Sequence, residues 1–166
     1  MATLYLDIKT ATFGFLAIVG LPVLITVIAI YFSKKGSDLT ILRNAFLICF
    51  ALWSVGVLFS WKNYIKFDSN TLKVKAGFHS TEIKITDKKK LKVIQISETD
   101  KKEFGLNYKS LGTSFPRYHM GGFVLNNGLK AFVLIIGDAS NRVLITYEDQ
   151  TIITNIPYEE IVNTIK

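Results

Sequence analysis

Two long stretches of this chain carry no charge at all, and both lie before residue 62. Residues 11–32 form a run of 22 residues dense in Leu, Ile, Val and Phe. At about 1.5 Å per residue such a run spans a hydrocarbon core of roughly 30 Å. The run ends at Tyr31-Phe32-Ser33-Lys34-Lys35, too long for the apolar stretch of a cleaved signal peptide and without a small-residue cleavage site. Residues 45–61 make a second run of 17 residues, near the short end of what crosses a bilayer. Arg43 and Lys62 are placed to snorkel from its ends, and Trp61 and Tyr64 suit an interfacial aromatic belt. The expected anchor is therefore a transmembrane hairpin over residues 1–62, with spans at 11–32 and 45–61 joined by a loop at 33–44. Pro22 is expected to kink the first helix. Gly14, Ala17 and Gly20 are small residues that fit ordinary membrane composition.

Charge divides the chain at the same place. Before Trp61 the charged residues are Asp7, Lys9, Lys34, Lys35, Asp38 and Arg43. After it there are 16 Lys+Arg against 11 Asp+Glu, which leaves +5 of the overall +7 on the second part. That balance suits anionic headgroups or an acidic partner, and it also keeps a domain soluble. With 166 residues there is room for a hairpin and one domain of ordinary size. Cys49, the single cysteine, lies in the second apolar run and precludes an intrachain disulfide. Neither run holds an Asp, Glu, Lys, Arg or His, which disfavours transport; a homo-oligomeric pore would have to be lined by Thr12, Thr26 or Ser54. Lys9, Lys62, Lys66, Lys73 and Lys75 against Lys34, Lys35 and Arg43 in the loop favour both termini in the cytoplasm, although the tight Lys34-Lys35 pair opposes this.

Past Trp61 the apolar period becomes two. Leu72-Lys73-Val74-Lys75-Ala76 and Glu82-Ile83-Lys84-Ile85 alternate as half-buried antiparallel strands do. Turn residues punctuate the runs at Asp68-Ser69-Asn70, at Asp87, at Asn126-Asn127-Gly128 and at Asp138-Ala139-Ser140-Asn141. Strands are expected at 63–67, 71–78, 81–86, 91–97, 120–125, 130–136, 142–147 and 150–154. A helix closes the chain: Pro157 suits its first turn, Tyr158, Ile161, Val162 and Ile165 share a face, and Glu159, Glu160 and Lys166 complement its dipole.

About seven or eight short strands followed by one C-terminal helix is the order of pleckstrin-homology (PH) domains. The segment Gly112-Thr113-Ser114-Phe115-Pro116-Arg117-Tyr118-His119-Met120-Gly121-Gly122-Phe123, then Asn127-Gly128 and Lys130-Ala131, resembles the bacterial PH-like domain family, whose pattern is roughly G-T-x-x-P-G-Y-x-x-G-x-F, then N-G-x-K-A. The resemblance covers residues 62–166 and departs at Arg117, where the family has glycine. It implies an all-β PH-like barrel or sandwich of about seven strands with one C-terminal helix, over residues 63–166. It also implies a membrane-tethered module not known for catalysis, in a bacterial plasma membrane.

Candidate sites are few. Phosphoinositide-binding PH domains grip phosphate with basic residues on the first hairpin, whereas the corresponding turn here is Asp68-Ser69-Asn70. The denser basic cluster is Lys88, Lys89, Lys90 and Lys92, with Lys101 and Lys102 further on; at a membrane surface each contributes about 1 kcal/mol of attraction to anionic lipid. Its lack of aromatic neighbours argues against nucleic acid. His79 and His119 have no second ligand at metal spacing, so no metal or cofactor is expected. Ser114 lies near His119 without a Gly-x-Ser-x-Gly frame or an acid in order, so no catalytic residue is assigned. Gly112, Gly121 and Gly122 with Pro116 mark a tightly turning backbone. Gly112, Phe115, Pro116, Tyr118, Met120, Gly121 and Phe123 are the family-motif residues, with Phe115, Tyr118 and Met120 a possible contact surface for another protein or subunit. The expectation is a non-enzymatic binding or assembly module held at the bilayer, its partner a protein, another copy or an anionic lipid surface, with no nucleic acid and no small-molecule substrate. The rival is a small homo-oligomeric channel capped by the domain.

Overall fold

A computed structural model describes residues 1–32, 39–97 and 99–165. The chain opens with strand β1 (Ala2–Tyr5) and then enters the first helix, built from α1 (Ile8–Phe15), a π-helical turn (Leu16–Gly20) and α2 (Leu21–Phe32). Asp7 caps α1: its extended backbone leads into the helix and its carboxylate accepts from the Thr10 amide at 2.8 Å. The π turn closes with the Leu21 amide donating to the Leu16 carbonyl, immediately before Pro22. A proline supplies no amide and crowds the carbonyl four residues earlier, and a π turn is one way a helix absorbs this. Helix α3 (Leu39–Ser60) packs back against the first helix. It begins earlier than the apolar run suggests, taking in Arg43 and Asn44, and residues 33–38 of the expected loop lie outside the described residues.

Both helices are long and apolar enough to cross a membrane, at 24 residues for Ile8–Tyr31 and 21 for Thr40–Ser60. Only 11 % of the most apolar stretch of the first, and none of the second, is buried within the protein. The core helix of a water-soluble domain would show the reverse.

The remainder of the chain is mostly sheet. A four-stranded antiparallel meander runs β1-β2-β3-β4, with β2 (Lys62–Asp68), β3 (Thr71–Ala76) and β4 (His79–Lys84). Strand β1 was not apparent in the sequence; it pairs with β2 in the register Ala2↔Ile65 to Tyr5↔Lys62. The chain thus leaves this sheet from β1 into one helix and re-enters it at β2 from the other. A six-stranded sheet has the order β5-β9-β10-β8-β7-β6, from β5 (Lys92–Ile96), β6 (Leu106–Phe115), β7 (Tyr118–Leu125), β8 (Lys130–Ile136), β9 (Arg142–Tyr147) and β10 (Gln150–Thr154). All its pairs are antiparallel except β8 with β10. All eight expected strands are present. With β6, nine strands rather than about seven follow the hairpin among the described residues.

The alternating pattern fills the space between the sheets. Ile65, Leu72, Val74 and Ile83 from one sheet meet Met120, Leu134, Ile145 and Ile152 from the other, and helix α4 (Tyr158–Ile165) covers the end of this core against β1, β2 and β5 with Ile161 fully buried. The opposite face of the six-stranded sheet holds a smaller cluster, including Phe123, Leu125, Val133, Ile135 and Ile153, under Phe104 and Leu106.

Candidate functional site

The functional geometry converges where the helices enter the sheets. Asn63, the second residue of β2, is fully buried. Its Nδ2 donates to the Ser60 carbonyl at 2.8 Å and to the Leu4 carbonyl at 3.3 Å, and its Oδ1 accepts from the Gly77 amide at 2.7 Å. One side chain therefore ties the end of α3, the strand β1 and the β3–β4 turn. The Ser60 carbonyl lies in the last helical turn, where no intrahelical donor remains. Tyr118, also buried, donates its hydroxyl to the buried Ser60 Oγ, so β7 is fastened to the same helix end. Burial raises the pKa of the Tyr118 hydroxyl, against the Ser60 bond, and keeps it protonated as a donor.

The motif segment supplies this fastening. Phe115 and Tyr118 face each other across the turn at Pro116-Arg117 and stack with ring centres 4.6 Å apart. Arg117 adopts φ 67°, the left-handed conformation glycine favours, so the departure from the family pattern keeps the turn but at a steric cost. Gly112 and Gly121 are paired across β6 and β7. A Cβ at Gly112 would stand 2.1 Å from the Met120 carbonyl oxygen, and one at Gly121, which has φ 103°, would stand 2.4 Å from that of Leu111. The backbones cross here too closely for any side chain. The expected contact surface is corrected accordingly. Tyr118, Met120, Gly121 and Phe123 are buried, Phe115 is half-buried, and only Pro116 of the motif residues is exposed. These side chains are committed to the core and to the hairpin junction.

Below that junction is an apolar cavity of about 330 Å³. Thr10, Ala11, Gly14 and Ile18 line it from the first helix, Leu52, Trp53, Gly56 and Ser60 from α3, and Phe78, Thr113, Phe115 and Tyr118 roof it from the β domain. The Trp53 indole N–H is bonded to the Ala11 carbonyl at 3.3 Å and its ring meets Phe15 edge to face. Thr10 donates its hydroxyl to Asp7 at 2.8 Å. The polar atoms of Thr10 and Trp53 are thus already partnered. Around the helix ends Tyr5, Phe59, Trp61 and Phe78 remain exposed, with Phe59 and Phe78 stacked at 4.6 Å, a belt of the kind found at membrane interfaces.

On the other side of the first turn of α1 a shallow depression gathers the charged groups of Asp7, Lys9, Arg117 and Asp138 beside Leu4, Ile8 and Ile136. Burial pushes the Asp7 carboxyl up, but the Thr10 bonds and the Arg117 charge outweigh it and hold the carboxyl below its ordinary value. The Arg117 Nε is buried and has no hydrogen-bond partner among the described residues.

The six lysines do not form one patch. Lys88, Lys89 and Lys90 make a short 3₁₀ turn, where Lys88 lies over the Phe67 ring at 4.9 Å and Lys90 pairs with Glu148 at 3.1 Å. Lys92 begins β5, whereas Lys101 and Lys102 lie beyond its far end, about 16 Å away at the rise of a strand. Phe67 stands near the end of β2 remote from α3, which places Lys88–Lys90 on the order of 20 Å from the helix ends.

The structure does bring Ser114 and His119 together, at 2.9 Å between Oγ and Nδ1, as cross-strand partners. Burial, with the Arg142 charge, lowers the His119 pKa. Among the described residues no carboxylate bonds its ring. His79 lies at the start of β4, near Gly121. No group of three metal-ligating side chains occurs among the described residues. The Asn63 tie and the cavity were beyond sequence reasoning, because each is assembled from segments more than 40 residues apart. Comparison with family models, with curated proteins and with solved structures finds no match to this chain.

Proposed function

We propose that the chain is an integral, two-span membrane protein whose PH-like β domain is a non-enzymatic binding or assembly module held in a fixed pose on the bilayer. The observation that carries this reading is the pairing of β1 with β2. A domain on a flexible tether samples many orientations. Here the strand before the first helix and the strand after the second belong to one sheet, so the helices hold the domain rigidly and bring its partner-binding surface to a set height. Such restriction raises effective concentration and lowers the ordering cost of weak contacts. The four-stranded meander, the second sheet and the helix α4 over the open end of the core support the PH-like assignment, and the parallel β8–β10 pair is a departure from it. The domain and both termini share one side of the membrane, the cytoplasmic side by the lysine count of the sequence.

The surface best suited to a protein partner is β6, the edge of the larger sheet. Tyr108 and Leu111 are 59 % and 71 % exposed there. Register shifts between Leu106 and Tyr108 and between Lys109 and Leu111 interrupt the ladder, so a partner is met by side chains rather than by an added strand. Photo-crosslinking residues placed at 108 and 111 in intact membranes test this. One discrete adduct from both positions, absent from a crosslinker at the exposed Ser69, is expected; no adduct, or the same adducts from Ser69, refutes it. The mass of the full chain in lipid nanodiscs separates the module from a pore: a monomer or dimer supports the module, and a larger closed ring replaces it with the channel.

A further inference from the structure

We infer that the cavity beneath the β6–β7 hairpin is a binding site for one acyl chain of a membrane phospholipid, held by the protein as a stoichiometric ligand. The inference rests on the reading that the two helices cross the bilayer. On both helices the lining spans nine residues, Thr10 to Ile18 and Ser60 to Leu52, and the eight rises between them give a depth of about 12 Å. The cavity therefore begins at the level of the sheets and runs into the depth of the hydrocarbon. Its walls continue into the exposed apolar faces of the same helices, where Leu16, Ile18, Leu21, Leu52, Val55 and Phe59 are uncovered. Whatever fills it arrives from that face.

The chemistry of the lining selects a hydrocarbon. Thr10 and Trp53 are spent on Asp7 and the Ala11 carbonyl, and Ser60 and Tyr118 on each other. Among the described residues no charged side chain lines the space. A volume of about 330 Å³ is many times that needed by one water, and beyond the Thr113 hydroxyl the polar side chains of the lining already hold hydrogen bonds, which leaves too few partners to fill the space with water. The roof distinguishes this site from the ordinary lipid annulus. Phe78, Phe115 and Tyr118 belong to the β domain, so the end of the chain nearest the headgroup is covered by protein that the Asn63 and Tyr118 bonds fix in place. A chain in this position also completes the packing between hairpin and domain.

Gly56 gives the test. It lines the cavity, and a Cβ placed on it meets nothing within 4 Å, so G56F fills the space from a helix position that accepts a side chain. The full chain is reconstituted in vesicles of phosphatidylethanolamine and phosphatidylglycerol in equal parts, checked for resistance to alkaline extraction, then moved to a delipidating detergent for native mass spectrometry. The expected result is one phospholipid mass retained per wild-type chain, retained also by G56A and lost in G56F, with all three chains resisting extraction. Extraction of the wild type by alkali overturns the membrane reading itself. Resistance to extraction with no retained lipid, or with equal retention by wild type and G56F, overturns the site while leaving the membrane reading intact. Unfolding of G56F is recognised by its thermal transition, and Ala11→Leu, which enters the same cavity from the first helix, then replaces it with the same expected loss of lipid and the same overturning result.

Discussion

Replacing Asn63 by leucine should release the hairpin from the sheet. The change strands the Gly77 amide and the Ser60 carbonyl, which Asn63 satisfies in a fully buried position, while the Leu4 carbonyl keeps its place in the β1–β2 ladder. A buried polar group left without a partner costs about 1–3 kcal/mol. For two such groups the sum is about 2–6 kcal/mol, set against a total stability of about 5–15 kcal/mol. Because about 1.4 kcal/mol is a factor of ten, local opening should rise by roughly one and a half to four orders of magnitude. Hydrogen exchange followed by mass spectrometry, on the full chain in nanodiscs, reads this at β1 and at the β3–β4 turn. Lys66→Ala, an exposed change on the same strand, should leave both unaltered. Asn63→Asp adds a sign. Its carboxylate still accepts from Gly77 but faces two carbonyl oxygens, so its folded pKa must lie above the ordinary value of about 3.9. Stability is then closest to wild type in acid and falls as pH rises through that folded value. A change below threefold in exchange at β1 and the turn in Asn63→Leu, or a loss in Asn63→Asp that does not depend on pH, would refute the reasoning.

Gly121→Ala forces a Cβ against the Leu111 carbonyl at φ 103° and should cost more than about 2 kcal/mol in thermal unfolding, whereas Gly128→Ala, at φ 83° in open space, should cost about 1 kcal/mol. Tyr118→Phe leaves the buried Ser60 hydroxyl without its partner. A loss of about 1–3 kcal/mol in the same assay is expected, together with faster exchange at the start of β7. Asp7→Ala removes the cap of α1, worth about 1 kcal/mol. Since the Asp7 carboxyl is held below its ordinary 3.8, its stabilisation is present above that value and fades as pH falls through the folded one. Protection of the first turn of α1, taken relative to the intrinsic exchange rate at each pH, should therefore fall in acid in the wild type and not in Asp7→Ala.

The elements that announce themselves in the sequence are those whose burial is local and periodic. Leu72, Val74 and Ala76 alternate with lysines and point into one core, and the turn at Asn126-Asn127-Gly128 separates β7 from β8, so these strands could be read directly. Strand β1 has four residues and no flanking turn signal, and it exists only because β2 lies beside it some 60 residues later. Strand β6 hides for a different reason. As an edge strand exposed along most of its length, Leu106–Phe115 has no buried face to impose alternation, and its glycine reads as a breaker. The same limit governs the sites. Gly112, Phe115 and Tyr118 stood out as unusual, yet only the fold shows that they lie at the hairpin junction. The lysines, neighbours in sequence, are divided by the length of β5.

The central claim, that the hairpin lies in the bilayer with the domain fixed at its surface, is tested most directly through Cys49, the single cysteine of the chain. It lies 11 residues before the end of α3, about 16 Å along the helix and so near the middle of a hydrocarbon core of roughly 30 Å. A membrane-impermeant maleimide should leave Cys49 unmodified in intact, unsealed membranes, react with it after detergent denaturation, and label a cysteine placed at Ser69 under both conditions. Modification of Cys49 in intact membranes at the rate seen for Ser69→Cys would contradict the account.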